Sequence, residues 1–70
     1  MKKNDVNRLS SIKKAFLVLD QLSEPPYEYT PTVLYQKTGI NRTTIHRMLL
    51  DLMDFDVVMK NELTKTYRIG

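Results

Sequence analysis

From Ser10 onward the apolar positions Ile12, Ala15, Phe16, Leu19 and Leu22 recur at spacings of three and four, the stripe of an amphipathic helix. Ser10 or Ser11 offers a capping hydroxyl, and Pro25-Pro26 ends the segment because neither proline can continue a helical ladder. The pattern predicts a first helix over residues 10–23. Tyr27-Glu28-Tyr29 alternates and predicts a small strand. Thr30-Pro31 is a helix start, a capping hydroxyl followed by a proline whose missing N–H is harmless at the first position. A second helix is expected over residues 31–38, burying Leu34 with help from Val33 or Tyr35. Gly39 supplies the left-handed residue that ends it, Ile40 turns back to the core, and Asn41 caps a third helix. In that helix, over residues 42–55, Ile45, Met48, Leu49 and Leu52 fall within about 100° of one another and define the inward face. Thr43, Arg47, Leu50 and Asp54 stand opposite, with His46 on the flank. The period then changes. Residues 57–60 and 66–69 are two β-prone runs around residues 61–65, which reads as a hairpin. The order is that of a winged helix-turn-helix: mainly α with a small β-hairpin, three helices plus a wing. Residues 1–9 are expected to form a flexible basic arm, and residues 10–70 the folded domain.

Composition narrows what such a fold can do. The chain has 70 residues, 41% hydrophobic and 27% charged, enough for one thin core and too little for a deep catalytic cavity. There is no cysteine and a single histidine, so the sequence predicts no disulfide framework, no metal site and no cofactor. It also lacks a nucleophile constellation and a glycine-rich phosphate loop, and no enzyme is expected. The longest apolar run, residues 15–19, is too short to span a membrane, and a soluble, cytoplasmic chain is expected. The net charge is +3, and its distribution matters more than its size. Residues 1–23 carry +3, through Lys2, Lys3, Arg8, Lys13 and Lys14 against two acids, whereas residues 41–55 are neutral but polarised. Arg42 and Arg47 stand at the beginning of the third helix, Asp51 and Asp54 at its end. Helix electrostatics favour the opposite order by ~0.3–1 kcal/mol per charge. An anionic ligand at the amino end accounts for the inversion, and duplex DNA is the obvious candidate.

The motifs point the same way. KKAFLVLDQLS (residues 13–23), LYQKTGINRTTIHRMLLDL (34–52), DVV (56–58) and YRIG (67–70) together make the stretch from Ile12 to Gly70 resemble the N-terminal domain of the IclR family of bacterial transcriptional regulators. The most specific part is the combination of Thr38, Gly39, Ile40, Arg42, Thr43, Thr44, Ile45, His46, Arg47, Met48 and Leu49. The resemblance implies an operator-binding domain that works as a homodimer, normally followed by a larger domain sensing a small-molecule effector. That domain lies outside this chain, which is expected to be either a fragment or a stand-alone relative. Three positions depart from the family pattern. Asp56 stands where a glycine usually follows the third helix, the hairpin tip has no glycine, and Val33 takes a usually polar place.

In helix-turn-helix domains the start of the second helix of the motif reaches base edges while the first crosses the backbone. On that reading Arg47 can fork onto a guanine and Thr43 can touch a thymine methyl or a phosphate, with His46 a flank contact. Arg42 and Thr44 flank the docking face and are assigned to phosphates, as are Thr30 and Thr32 at the start of the preceding helix. Asn41, the cap, lies on the same edge. Lys65 and Arg68 are expected to anchor the wing along the backbone or the minor groove, while Lys60 is balanced between that role and blocking strand pairing. For each arginine the plainer reading is a solvated surface; for Thr30 it is simple capping. Tyr27 and Tyr29 are expected to pack beneath the wing rather than to stack on a ligand. The rival function is a protein-interaction module that uses the same helix or an exposed Leu50 patch. Its docking face should be apolar, whereas this one offers threonine and arginine.

Overall fold

Each of the three helices begins at a residue whose side-chain oxygen accepts a backbone N–H three positions on, and these caps set the frame. In the computed structural model, which describes residues 6–70, Ser10 Oγ accepts from Lys13, Thr30 Oγ1 from Val33 and Asn41 Oδ1 from Thr44. Each such cap is worth ~1 kcal/mol. The helices are α1 (Ser11–Leu22), α2 (Pro31–Thr38) and α3 (Arg42–Asp54), followed by the antiparallel pair β1 (Val58–Asn61) and β2 (Thr66–Ile69). Packing follows chain order around one core: α1 lies on α2 and β2, α2 on α3, and α3 on β1. From Ser10 to Gly70 the result is three helices and a two-stranded wing, as the sequence pattern predicts.

The turn between α2 and α3 is built as expected. Gly39 takes φ 80° and donates its N–H to Tyr35. Thr38 adds a brace, its hydroxyl donating to the Leu34 carbonyl at 2.7 Å and accepting the Ile40 N–H at 3.2 Å. Leu34, Ile40 and Ile45 are wholly buried, so one apolar residue from each helix and one from the turn lock the motif.

Four expectations need correction. Ile12 and Phe16 were placed on the inward stripe of α1, but they are 67% and 60% exposed. Val18 and Leu22 are buried instead, with Ala15, Leu17 and Leu19 packed beside them. Seven of the twelve α1 residues are apolar, so two overlapping stripes satisfy helical spacing, and periodicity sets the period without setting the phase. Second, the segment before Ser10 is packed from Val6 on. Val6 is buried in the core beside Leu17 and Thr38, and the Leu9 N–H returns to its carbonyl at 3.0 Å. The rest of the expected arm, residues 1–5, lies outside the described residues. Third, Tyr27 is exposed at φ 69° while Tyr29 is buried. Fourth, the small strand over residues 27–29 is a single bridge in which Tyr29 and Tyr67 exchange N–H···O bonds at 3.0 and 2.8 Å.

The two glycine-poor corners find other means. After α3, the Asp56 N–H donates to Met53 and the Val57 N–H to Leu52, which closes the helix with Asp56 left-handed at φ 60°. At the wing tip, the Lys65 N–H donates to the Asn61 carbonyl at 2.7 Å and Lys65 leaves the turn at φ 60°. The Asn61 side chain accepts the N–H groups of Leu63 and Thr64, doing for the loop what its composition does not. Asp56 is the weaker solution, because its Cβ crowds the left-handed backbone and its carboxylate sits at the negative end of α3. Asp56→Gly is expected to raise stability by ~1 kcal/mol after the extra chain entropy of glycine is offset, a rise in melting temperature of ~4–8 °C. An unchanged or lower midpoint in thermal unfolding would show that the aspartate carries no such cost.

Candidate nucleic-acid interface

Burying Ile45, Met48 and Leu49 turns the opposite side of α3 to solvent, and with it the residues singled out at its start. Thr43, His46 and Arg47 are all exposed. Among the described residues, the side chains of these three have no hydrogen-bond or ion-pair partner. The first turn of α3 contains no acid and its last turn no base, so the helix dipole and its side chains oppose each other at both ends. A hydroxyl in the first turn and an imidazole and a guanidinium in the second therefore stand free on the outward face of the amino-terminal half of the helix, open to an anion.

Arg42 is held differently. Its guanidinium lies 5.2 Å from the centre of the Tyr35 ring on α2, a cation–π contact that ties the two helices together on the outer side. Of the two helpers expected for Leu34, Val33 packs against the core, and Tyr35 is exposed enough to serve as this platform. The Asn41 side chain is engaged in capping, and Asn7 reaches across to it. Asn7 Oδ1 accepts the Asn41 N–H at 3.2 Å, while Asn7 Nδ2 donates to the Gly39 carbonyl at 3.3 Å. Asn7 thus clamps both sides of the turn from more than thirty residues away, and no local pattern in the sequence marks it.

At the start of α2, Thr30 Oγ1 is the helix cap and Thr32 is exposed. Thr44 is half-buried beside Arg47. On the wing, the Glu62 carboxylate lies 3.7 Å from Lys60 Nζ and 3.5 Å from Lys65 Nζ. Lys60 also lies 5.7 Å from the Tyr67 ring centre. Glu62 therefore offsets part of the wing's charge, although exposed pairs of this kind contribute little to stability. Arg68 is exposed and, among the described residues, carries the wing's unpaired charge. Among the described residues no cluster of His, Cys, Asp or Glu could hold a metal ion, and no helix is long and apolar enough to cross a membrane.

The comparisons with known proteins agree with this fold. The family model of the IclR helix-turn-helix domain matches residues 11–62. No curated protein matches the sequence. Among solved structures, an IclR transcriptional regulator from Alicyclobacillus acidocaldarius is 32% identical and superposes with a TM-score of 0.83 over 89% of this chain. The chain spans 25% of that protein's length.

Proposed function

The chain belongs to the IclR helix-turn-helix domain family, and from that premise we propose that it binds duplex DNA sequence-specifically in transcriptional regulation. The observation that carries the reading is the free, outward set of Thr43, His46 and Arg47 at the inverted amino end of α3. In this reading α3 enters the major groove, Arg47 and Thr43 read base edges, and His46 contacts the flank. Arg42, Thr44, Thr30 and Thr32 position phosphates, with Asn41 holding the start of α3 against them. Lys65 and Arg68 lie along the backbone or the minor groove, Arg68 with the larger share because Glu62 draws on Lys65. Two copies read two half-sites, and pairing multiplies a modest single-domain affinity through effective concentration. A bacterial cytoplasm is the setting, and any response to a small molecule passes through a separate domain. The protein acts by occupancy, not catalysis.

Affinity measured at several salt concentrations tests the reading directly. Arg42, Lys65 and Arg68 each neutralising one phosphate contribute about −2.7 per domain to the slope of log affinity on log salt, a loss of at least ~40-fold between 50 and 200 mM. Binding that ignores salt, or no binding to genomic fragments and selected sites alike, would favour a protein-interaction module, for which the exposed Leu50 on the same helix is an apolar foothold.

A further inference from the structure

Where the first turns of α1 pass the flank of α3, the side chains of Ser11, Lys14, Thr44, Arg47, Met48 and Asp51 line one cleft of about 240 Å³. It contains two cations, one anion and two hydroxyls drawn from two helices. Among the described residues Lys14, Arg47 and Asp51 have no hydrogen-bond or ion-pair partner, although they share this space. Lys13, its neighbour in sequence, is exposed and does not line the cleft. One step along a helix turns a side chain by about 100°, so only one of this consecutive pair faces α3.

We propose that the cleft seats a backbone phosphate of the bound duplex, held by the Lys14 ammonium with the Ser11 and Thr44 hydroxyls as further donors. The inference rests on the DNA-binding reading and deepens it. Arg47 forms the wall of the seat with its stem while its guanidinium goes on to a base edge. Lys14 and Arg47 therefore grip one nucleotide step from two sides, and α1 fixes the depth at which α3 sits in the groove. Lysine suits this role because a point charge on a flexible stem holds a phosphate without demanding a planar fork. Asp51, at the far side of the cleft, repels the same phosphate and keeps the seat from holding DNA of any sequence too tightly.

The test compares neighbouring substitutions on the intact chain, using a mixed-sequence duplex as the probe at 50 and 200 mM salt. Lys14→Ala should reduce the magnitude of the salt slope by ~0.9, so that the advantage of the unsubstituted chain over the variant shrinks about threefold between the two salts. Lys14→Arg should keep the slope, and Lys13→Ala should change it by less than half as much. Asp51→Asn should tighten binding about threefold at 50 mM salt, while Asp54→Asn, on the same helix outside the cleft, should not match it. All of these positions are surface ones, and equal melting temperatures confirm that folding is unaffected. Equal slopes for Lys13→Ala and Lys14→Ala, or no gain from Asp51→Asn, overturn the phosphate seat while leaving the DNA reading intact. An unsubstituted chain that does not bind the duplex overturns both.

Discussion

Leu34→Ala is expected to lower stability by about 3 kcal/mol, a fall in melting temperature of roughly 12–24 °C. Leu34 is wholly buried in α2, among residues contributed by every element of the fold. Truncation removes its transfer free energy and leaves a void that a thin core has little slack to fill. A chain of this size has ~3.5–10 kcal/mol of stability in total, so the loss takes a third or more of it. Phe16→Ala deletes a larger side chain yet should stay within ~0.5 kcal/mol, because Phe16 is mostly exposed. Denaturant or thermal unfolding of the two variants decides the matter. Comparable losses would mean that α1 is rotated about its axis, with Phe16 facing the core. Binding should follow the same contrast, since α3 keeps its angle only while Leu34, Ile40 and Ile45 remain packed.

The second large effect is on recognition. Arg47→Ala should remove ~1–3 kcal/mol of discrimination at one base pair, about 5- to 150-fold, while leaving the melting temperature nearly unchanged. Both halves follow from the geometry. The Arg47 guanidinium has no protein partner among the described residues, so the free domain loses nothing when it is removed. A bidentate fork on guanine, by contrast, cannot be replaced by water without leaving base acceptors imperfectly matched. Lys65→Ala should weaken all sequences alike, and only modestly, because Glu62 already draws on that ammonium. Binding selections on both variants separate the two behaviours. If Arg47→Ala and Lys65→Ala weaken every site in parallel, base readout does not reside at the start of α3.

The candidate interface was legible in the sequence to the extent that it depends on one helix. Thr43, His46 and Arg47 stand outward because Ile45, Met48 and Leu49 must point inward, and a rigid helix with a narrow apolar face leaves no other phase. The features that remained hidden all join distant segments. Asn7 clamps the turn across more than thirty residues, Tyr35 carries Arg42, Glu62 bridges Lys60 and Lys65, and Lys14 meets Arg47 across a cleft. Nothing in the spacing of a polar side chain announces a partner on another element.

Local chemistry within the sequence was enough to determine the three helices from Ser11 to Asp54, the caps at Thr30 and Asn41, the left-handed stop at Gly39 and the outward edge of α3. Each follows from interactions within four residues, and those survive any arrangement of the rest of the chain. Tertiary structure alone decided which of two apolar stripes on α1 is buried and that Tyr29 and not Tyr27 joins the core. Those choices are made by the combined packing of α2, α3 and the wing. Covering one continuous apolar surface outweighs the local preference of a single side chain.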